Sequence, residues 1–143
     1  HLSSTVRETL AGFQVLAQEN GKQFCAHIEP EVAYYGKQEE ICRLLDILLE
    51  NAVKYCDPQG EIYVSLRGKR HPQTRVENTC RGVKELELDR LFDRFYRGDK
   101  ARSSSGGFGI GLSIALSIVR NHRGEITAYR KGEDRIGFKV ILR

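Results

Sequence analysis

Apolar residues recur every three or four positions in some stretches of this chain and every second position in others, and the two periods predict its elements. Val6, Leu10, Phe13 and Leu16 form a helical stripe over residues 4–18. Phe24, Ala26 and Ile28 alternate on one side of a strand at 22–28, and a short extended piece follows at Val32–Tyr35, ending at Gly36. The longest helical pattern runs from Lys37 to Tyr55, with Ile41, Leu44, Leu45, Leu48, Leu49 and Ala52 as its apolar face. The turn Asp57-Pro58-Gln59-Gly60 stops it. Ile62, Val64 and Leu66 mark the next strand, and a polar connection at Gly68–Pro72 leads into another at 74–79.

Leu86, Leu88, Leu91, Phe92 and Phe95 place a short helical region at 85–97. The segment 98–108 carries few apolar side chains and reads as a mobile loop. A glycine-led helix then carries Ile110, Ile114, Leu116, Ile118 and Val119. Two strands close the chain, one with Ile126 and Ala128, the other with Phe138, Val140 and Leu142, joined by a turn at Lys131–Arg135. This order lacks the regular alternation of a Rossmann fold. It predicts an α+β fold: one mixed, mostly antiparallel sheet of about five strands, covered on one face by about three helices. No internal repeat is visible, and residues 1–143 read as a single domain.

Composition narrows the function classes. The hydrophobic share of 40% and charged share of 29% are those of an ordinary globular protein. The net charge of +4 is mild and its lysines and arginines are scattered, which favours an anionic ligand weakly and argues against nucleic acid. No apolar run approaches the roughly 18 residues of a membrane span, and no signal-peptide pattern opens the chain. Cys25, Cys42, Cys56 and Cys80 are spaced for neither zinc nor a disulfide framework, so reduced thiols in a cytoplasmic setting are expected.

Two segments carry candidate chemistry. Gly107, Gly109 and Gly111 alternate just before a helix, so the backbone can bend tightly and approach a ligand while the helix end offers N–H groups and positive dipole. That construction suits phosphate; its bland alternative is a tight turn. Asn51, Lys54 and Tyr55 stand at i, i+3 and i+4, an amide, an ammonium and a ring on one surface. An Asn carbonyl can ligate Mg²⁺ while phosphates and water complete the octahedron, and a lysine can meet phosphate oxygens. Alone, this trio is equally the polar end of an amphipathic helix.

Together the segments resemble a known family. Leu48-Leu-Glu-Asn-Ala-Val-Lys-Tyr55 resembles the N box of sensor histidine kinases, Leu91-Phe-Asp-Arg-Phe-Tyr-Arg97 their F box, and Gly107-Phe-Gly-Ile-Gly-Leu-Ser113 their second glycine box. His122-Arg-Gly-Glu-Ile-Thr stands where the family has His-Gly-Gly and a strand, and Gly137-Phe-Lys-Val-Ile-Leu142 resembles its final strand. The resemblance implies the ATP-binding catalytic domain of a two-component kinase, in the two-layer α/β sandwich of the Bergerat fold. It implies that Asn51 binds Mg²⁺, Lys54 the phosphates, and that Tyr55 lines the nucleotide cleft. Gly107 and the backbone of Gly109, Ile110, Gly111 and Leu112 would hold the phosphate chain, with 98–108 as the ATP lid. Phe92 and Phe95 would pack at the lid's base; Arg94 and Arg97 would meet phosphate or a partner, or form surface salt bridges.

None of His1, His27, His71 and His122 fits the family's phosphoacceptor pattern. The resemblance therefore implies a monomeric fragment whose γ-phosphoryl group goes to a histidine on a separate dimerisation domain, with a response regulator downstream. The whole protein would be membrane-anchored, with this domain in the cytoplasm.

Three departures from the family's pattern stand out. The first glycine box, usually Asp-x-Gly-x-Gly, reads Asn78-Thr-Cys-Arg-Gly82. Asn78 can still accept a hydrogen bond from the adenine amino group but without charge, and a charged bond is worth roughly 1.5–3 kcal/mol against about 0.5–1.5 for a neutral one. A weakening of order tenfold follows. Cys80 in place of glycine costs on the order of 1–2 kcal/mol if that backbone is left-handed, and it sets a thiol beside the cleft. Ile47, one turn before Asn51, stands where the gyrase-type and chaperone-type ATPases have a catalytic glutamate. Without that base direct hydrolysis is disfavoured, while phosphoryl transfer stays open because positioning and charge do most of its work.

Glu50 either polarises the incoming imidazole or pairs with Lys54 at i+4. Two other readings compete: a degenerate nucleotide-binding or interaction module with weak or no kinase activity, and an anti-sigma-type serine kinase of the same fold, which the F box opposes. A dinucleotide fingerprint fails because Leu112 stands where the third glycine belongs, and a Walker loop fails because no Gly-Lys-Ser/Thr follows.

Overall fold

The period-two segments pair into one open sheet, and the period-3.6 segments cover one of its faces. The computed structural model describes residues 1–68, 70–83, 88–93 and 111–143. Within them the elements are α1 (Leu2–Glu19), β1 (Gln23–Ile28), α2 (Gln38–Tyr55), β2 (Glu61–Gly68), β3 (Pro72–Thr79), a 3-10 turn at Leu88–Arg90, α3 (Gly111–Asn121), β4 (Glu125–Lys131) and β5 (Arg135–Ile141). The strands lie in the order β1-β2-β3-β5-β4. β1 runs parallel to β2, and the remaining neighbours are antiparallel. The expected mixed, mostly antiparallel sheet of five strands under three helices is the observed architecture.

Register explains the core. Ala26, Val64, Val76, Phe138 and Ala128 form one cross-strand row on the helix-covered face. Against it α2 buries Leu44, Leu45, Leu48 and Leu49, each at most 3% exposed. Burying a leucine contributes roughly 1.5–3 kcal/mol, so these four anchor α2 as the central helix, between α1 and α3. Glu39 and Glu40 in its first turn and Lys54 in its last suit the helix dipole.

Two expectations need correction. Val32–Tyr35 is irregular and joins no strand. Buried Ser3 explains this: its hydroxyl accepts the Val32 N–H at 2.7 Å and donates to the Glu29 carbonyl at 2.8 Å, tying the segment to α1. Ala26 shares its row with buried residues yet is exposed, a short methyl on the edge strand. Of the helical region expected at 85–97, the described part is the 3-10 turn; Leu91 there is fully buried, and Phe92 meets Phe138 edge-on at 6.0 Å between centroids. Leu86, Phe95 and the rest of that region lie outside the described residues.

The other sheet face is polar. Glu77, only 2% exposed, accepts a hydrogen bond from the Tyr129 hydroxyl and pairs with Lys131 at 3.6 Å. Gly137 lies directly opposite Tyr129 in the ladder, and a Cβ there would run into the tyrosine ring.

Candidate functional site

The last turns of α2 carry the trio read from the sequence. Asn51 is 9% exposed, and its Nδ2 has no hydrogen-bond partner among the described residues. Tyr55, one turn on, is buried, while Lys54 is exposed with its Nζ 5.4 Å from the centroid of the Tyr55 ring. The N-terminus of α3 abuts α2 one turn before Asn51: a Cβ on Gly111 would lie 3.6 Å from Ile47 Cγ2. The helix end that follows the glycine box therefore sits against the face of α2 that the N box occupies. Leu112 points into the core at 1% exposure, which leaves only its backbone for a ligand.

Glu50 is exposed and lines the groove between α1 and α2. The pairing with Lys54 that its spacing allows is not formed.

The first glycine box ends β3. Asn78 is 1% exposed and donates through Nδ2 to the Thr79 carbonyl at 3.1 Å, which commits its donor side to the backbone and leaves the carbonyl as acceptor. Within this box the left-handed backbone falls at Gly82 (φ 78°), not at Cys80. The strain foreseen for a cysteine there does not arise. Cys80 is wholly buried; its backbone N–H donates to the Asp134 carbonyl at 2.7 Å.

Sequence reasoning read Asp57 only as part of a turn, yet this residue joins the two motifs. Its N–H donates to the Thr79 carbonyl at 3.0 Å, and its carboxylate accepts the Arg81 N–H at 2.8 Å. The preceding Cys56 is buried; that burial pushes its thiol pKa up, the Lys22 ammonium lowers it, and Asp57 and Cys80 raise it. All four cysteines are free thiols. No motif signals Asp57 in this role, because its partners are backbone groups more than twenty residues away.

Gly107, Gly109 and Ile110, the lid segment 98–108, and Arg94 and Arg97 lie outside the described residues. No helix among the described residues is long and apolar enough to cross a membrane.

Comparison with known proteins accords with this geometry. The family model for histidine kinase-, DNA gyrase B- and HSP90-like ATPases matches residues 36–143. The chain is 34% identical over 143 residues to the sensor protein DltS of Streptococcus agalactiae, covering 99% of this chain and 36% of that protein. It is 37% identical to the probable sensor protein PcoS of Escherichia coli, covering 99% of this chain and 30% of the relative. It thus spans about a third of the length of these curated relatives. The nucleotide-free catalytic domain of histidine kinase ThkA has the same fold, with a TM-score of 0.83 at 20% identity over 99% of this chain and 92% of that one. With its N box on α2, its first glycine box at the end of β3 and this sheet order, the chain belongs to the histidine kinase-, DNA gyrase B- and HSP90-like ATPase family.

Proposed function

We propose that this chain binds Mg-ATP between the last turns of α2, the end of β3 and the start of α3, and passes the γ-phosphoryl group to a histidine on a separate dimerisation domain. The carrying observation is Asn51: a buried amide whose Nδ2 has no partner among the described residues, one turn along α2 from Ile47, which the N-terminus of α3 abuts. The side-chain carbonyl of Asn51 would hold a Mg²⁺ ion, a hard cation that takes oxygen ligands. The ion and ATP supply charge neutralisation and the transferable group. Lys54 would meet phosphate oxygens, and the N–H groups that open α3 would hold the phosphate chain. Asn78 accepts from the adenine amino group through its carbonyl.

Ile47 leaves no carboxylate at the position from which related ATPases activate water, which favours transfer to an external nucleophile over hydrolysis. Glu50, adjacent to Asn51, is the carboxylate that polarises the incoming imidazole. A response regulator receives the phosphoryl group next, the fragment itself is monomeric, and the whole protein is anchored at the cell membrane.

Calorimetric titration with a non-hydrolysable ATP analogue tests this reading. Saturable, Mg²⁺-dependent binding that Asn51→Ala removes supports it. A folded chain that binds nothing at millimolar analogue sinks it and leaves the degenerate interaction module. A binding-competent chain, mixed with a dimerisation domain of a sensor kinase and labelled ATP, is expected to yield an acid-labile, base-stable phosphoprotein.

A further inference from the structure

The groove between α1 and α2 is shaped and charged for a partner, and of the residues that line it only Glu50 also figures in the proposed phosphotransfer. The two helices run in the same direction: His1, Leu2 and Thr5 share a recess with Gln38 and Ile41 at one end, and Lys22 reaches the Val53 carbonyl at the other. Between them lies a groove of about 580 Å³. Its apolar surface comes from Phe13, Val15, Leu16 and half-buried Cys42, and Val15 and Leu16 are 55% and 40% exposed. Gly12 sits midway along α1 with nothing within 4 Å of where a Cβ would be, so a second backbone can approach there.

The rim is acidic. Glu8 and Glu19 on α1 and Asp46 and Glu50 on α2 line the groove, and no lysine or arginine does. In a protein of net charge +4 this concentrates negative charge on one face. None of the four carboxylates forms a salt bridge among the described residues. Asp46 and Glu50 repel each other at i, i+4. Glu19 stands in the last turn of α1, where the helix dipole disfavours an anion and where no basic residue offsets it. The isolated domain bears these repulsions, and a cationic occupant relieves them.

We propose that this groove docks a basic amphipathic helix. From Glu8 to Glu19 it runs alongside about 16 Å of α1, enough for roughly three helical turns. The partner's apolar stripe covers Val15, Leu16 and Phe13, and its lysines or arginines flank that stripe and meet the four carboxylates.

The test titrates the 143-residue chain into a fluorescent Leu/Lys amphipathic peptide of about 11 residues, a length set by the groove. Controls are its scrambled form and a version with glutamate for every lysine. The expected result is saturable one-to-one binding that weakens as salt rises, with amide shifts confined to the groove. Glu19→Lys with Asp46→Lys is expected to lower affinity at least about tenfold. Both residues are exposed, and lysine at position 19 suits the helix end, so loss of binding in a variant with unchanged thermal unfolding is a surface effect. Val15→Asp, also exposed, reports the apolar contribution in the same way. Equal binding of the glutamate peptide, unchanged affinity in the charge-reversed variant, or shifts elsewhere overturn the proposal. Concentration-dependent dimerisation through this face, seen by sedimentation, also overturns it and assigns the groove to a second copy.

Discussion

The carboxylate of Asp57 accepts the backbone N–H of Arg81 at 2.8 Å, so the turn that follows α2 holds the loop that follows Asn78. Together with the bond from Asp57 N–H to the Thr79 carbonyl, it fixes the N box and the first glycine box relative to each other. Asp57→Ala is expected to destabilise the domain by about 1.5–2 kcal/mol, the lower part of the range for a charged hydrogen bond because Arg81 is exposed. The same change should weaken binding of an ATP analogue several-fold without removing any group that touches it. Urea unfolding and calorimetry read the two effects; full affinity in a destabilised variant would show that the clamp serves folding alone.

Asn51 and leucine are nearly isosteric, so Asn51→Leu separates stability from binding. A buried amide left unpaired costs about 1–3 kcal/mol, and the substitution removes it. The ligand-free variant is expected to unfold at an equal or higher temperature than the parent while losing Mg-ATP binding. A strongly destabilised Asn51→Leu protein contradicts this assignment.

Tyr129 predicts how stability falls in alkali. Burial, then the hydrogen bond to Glu77 and the charge of that carboxylate, push its phenol well above the ordinary value, while Arg75 lowers it. The neutral phenol is the form the fold favours. Its contribution is complete below about pH 10, the unfolded value, and is lost as pH rises towards the raised folded value. The raised Cys56 thiol acts with the same sign from lower pH. Urea midpoints measured across this range should decline, and Tyr129→Phe should flatten the upper part of the decline. An unchanged slope would rule out Tyr129 as its source.

Ser3 is 1% exposed and makes two hydrogen bonds to the backbone of residues 29 and 32. Ser3→Ala leaves the buried Val32 N–H unpaired and is expected to cost about 1–3 kcal/mol. Denaturant unfolding gives the loss directly, and amide exchange at Val32 should accelerate more than exchange in β2.

Much of this was legible beforehand. The leucines of α2 and the alternating residues of β2, β3 and β5 declare their elements because each buries one continuous face. Val32–Tyr35 misled because an apolar, aromatic stretch has the composition of a strand whether or not a neighbour accepts its hydrogen bonds. Here the hydroxyl of Ser3 takes the Val32 N–H. Cys80 misled for a related reason. Motif alignment marks a position as glycine, but only the backbone says which glycine needs a positive φ, and it is Gly82. His122 was visible only as part of a motif. In the structure its Nδ1 donates to the Ile118 carbonyl at 2.9 Å and its Nε2 accepts the Lys37 N–H at 3.3 Å, so the imidazole joins the end of α3 to the start of α2.

The sequence by itself determined the family, the element types and the N-box trio, since these depend on residue identity at short spacings, where a helix or strand puts neighbours together whatever the fold. The tertiary structure decided which polar groups are buried, which are paired and which are left open. Asp57 with Arg81, His122 with Lys37, Glu77 with Tyr129, and the acidic groove shared by α1 and α2 all join segments far apart in the chain. Whether such groups meet depends on how the helices pack on the sheet, which no local spacing records.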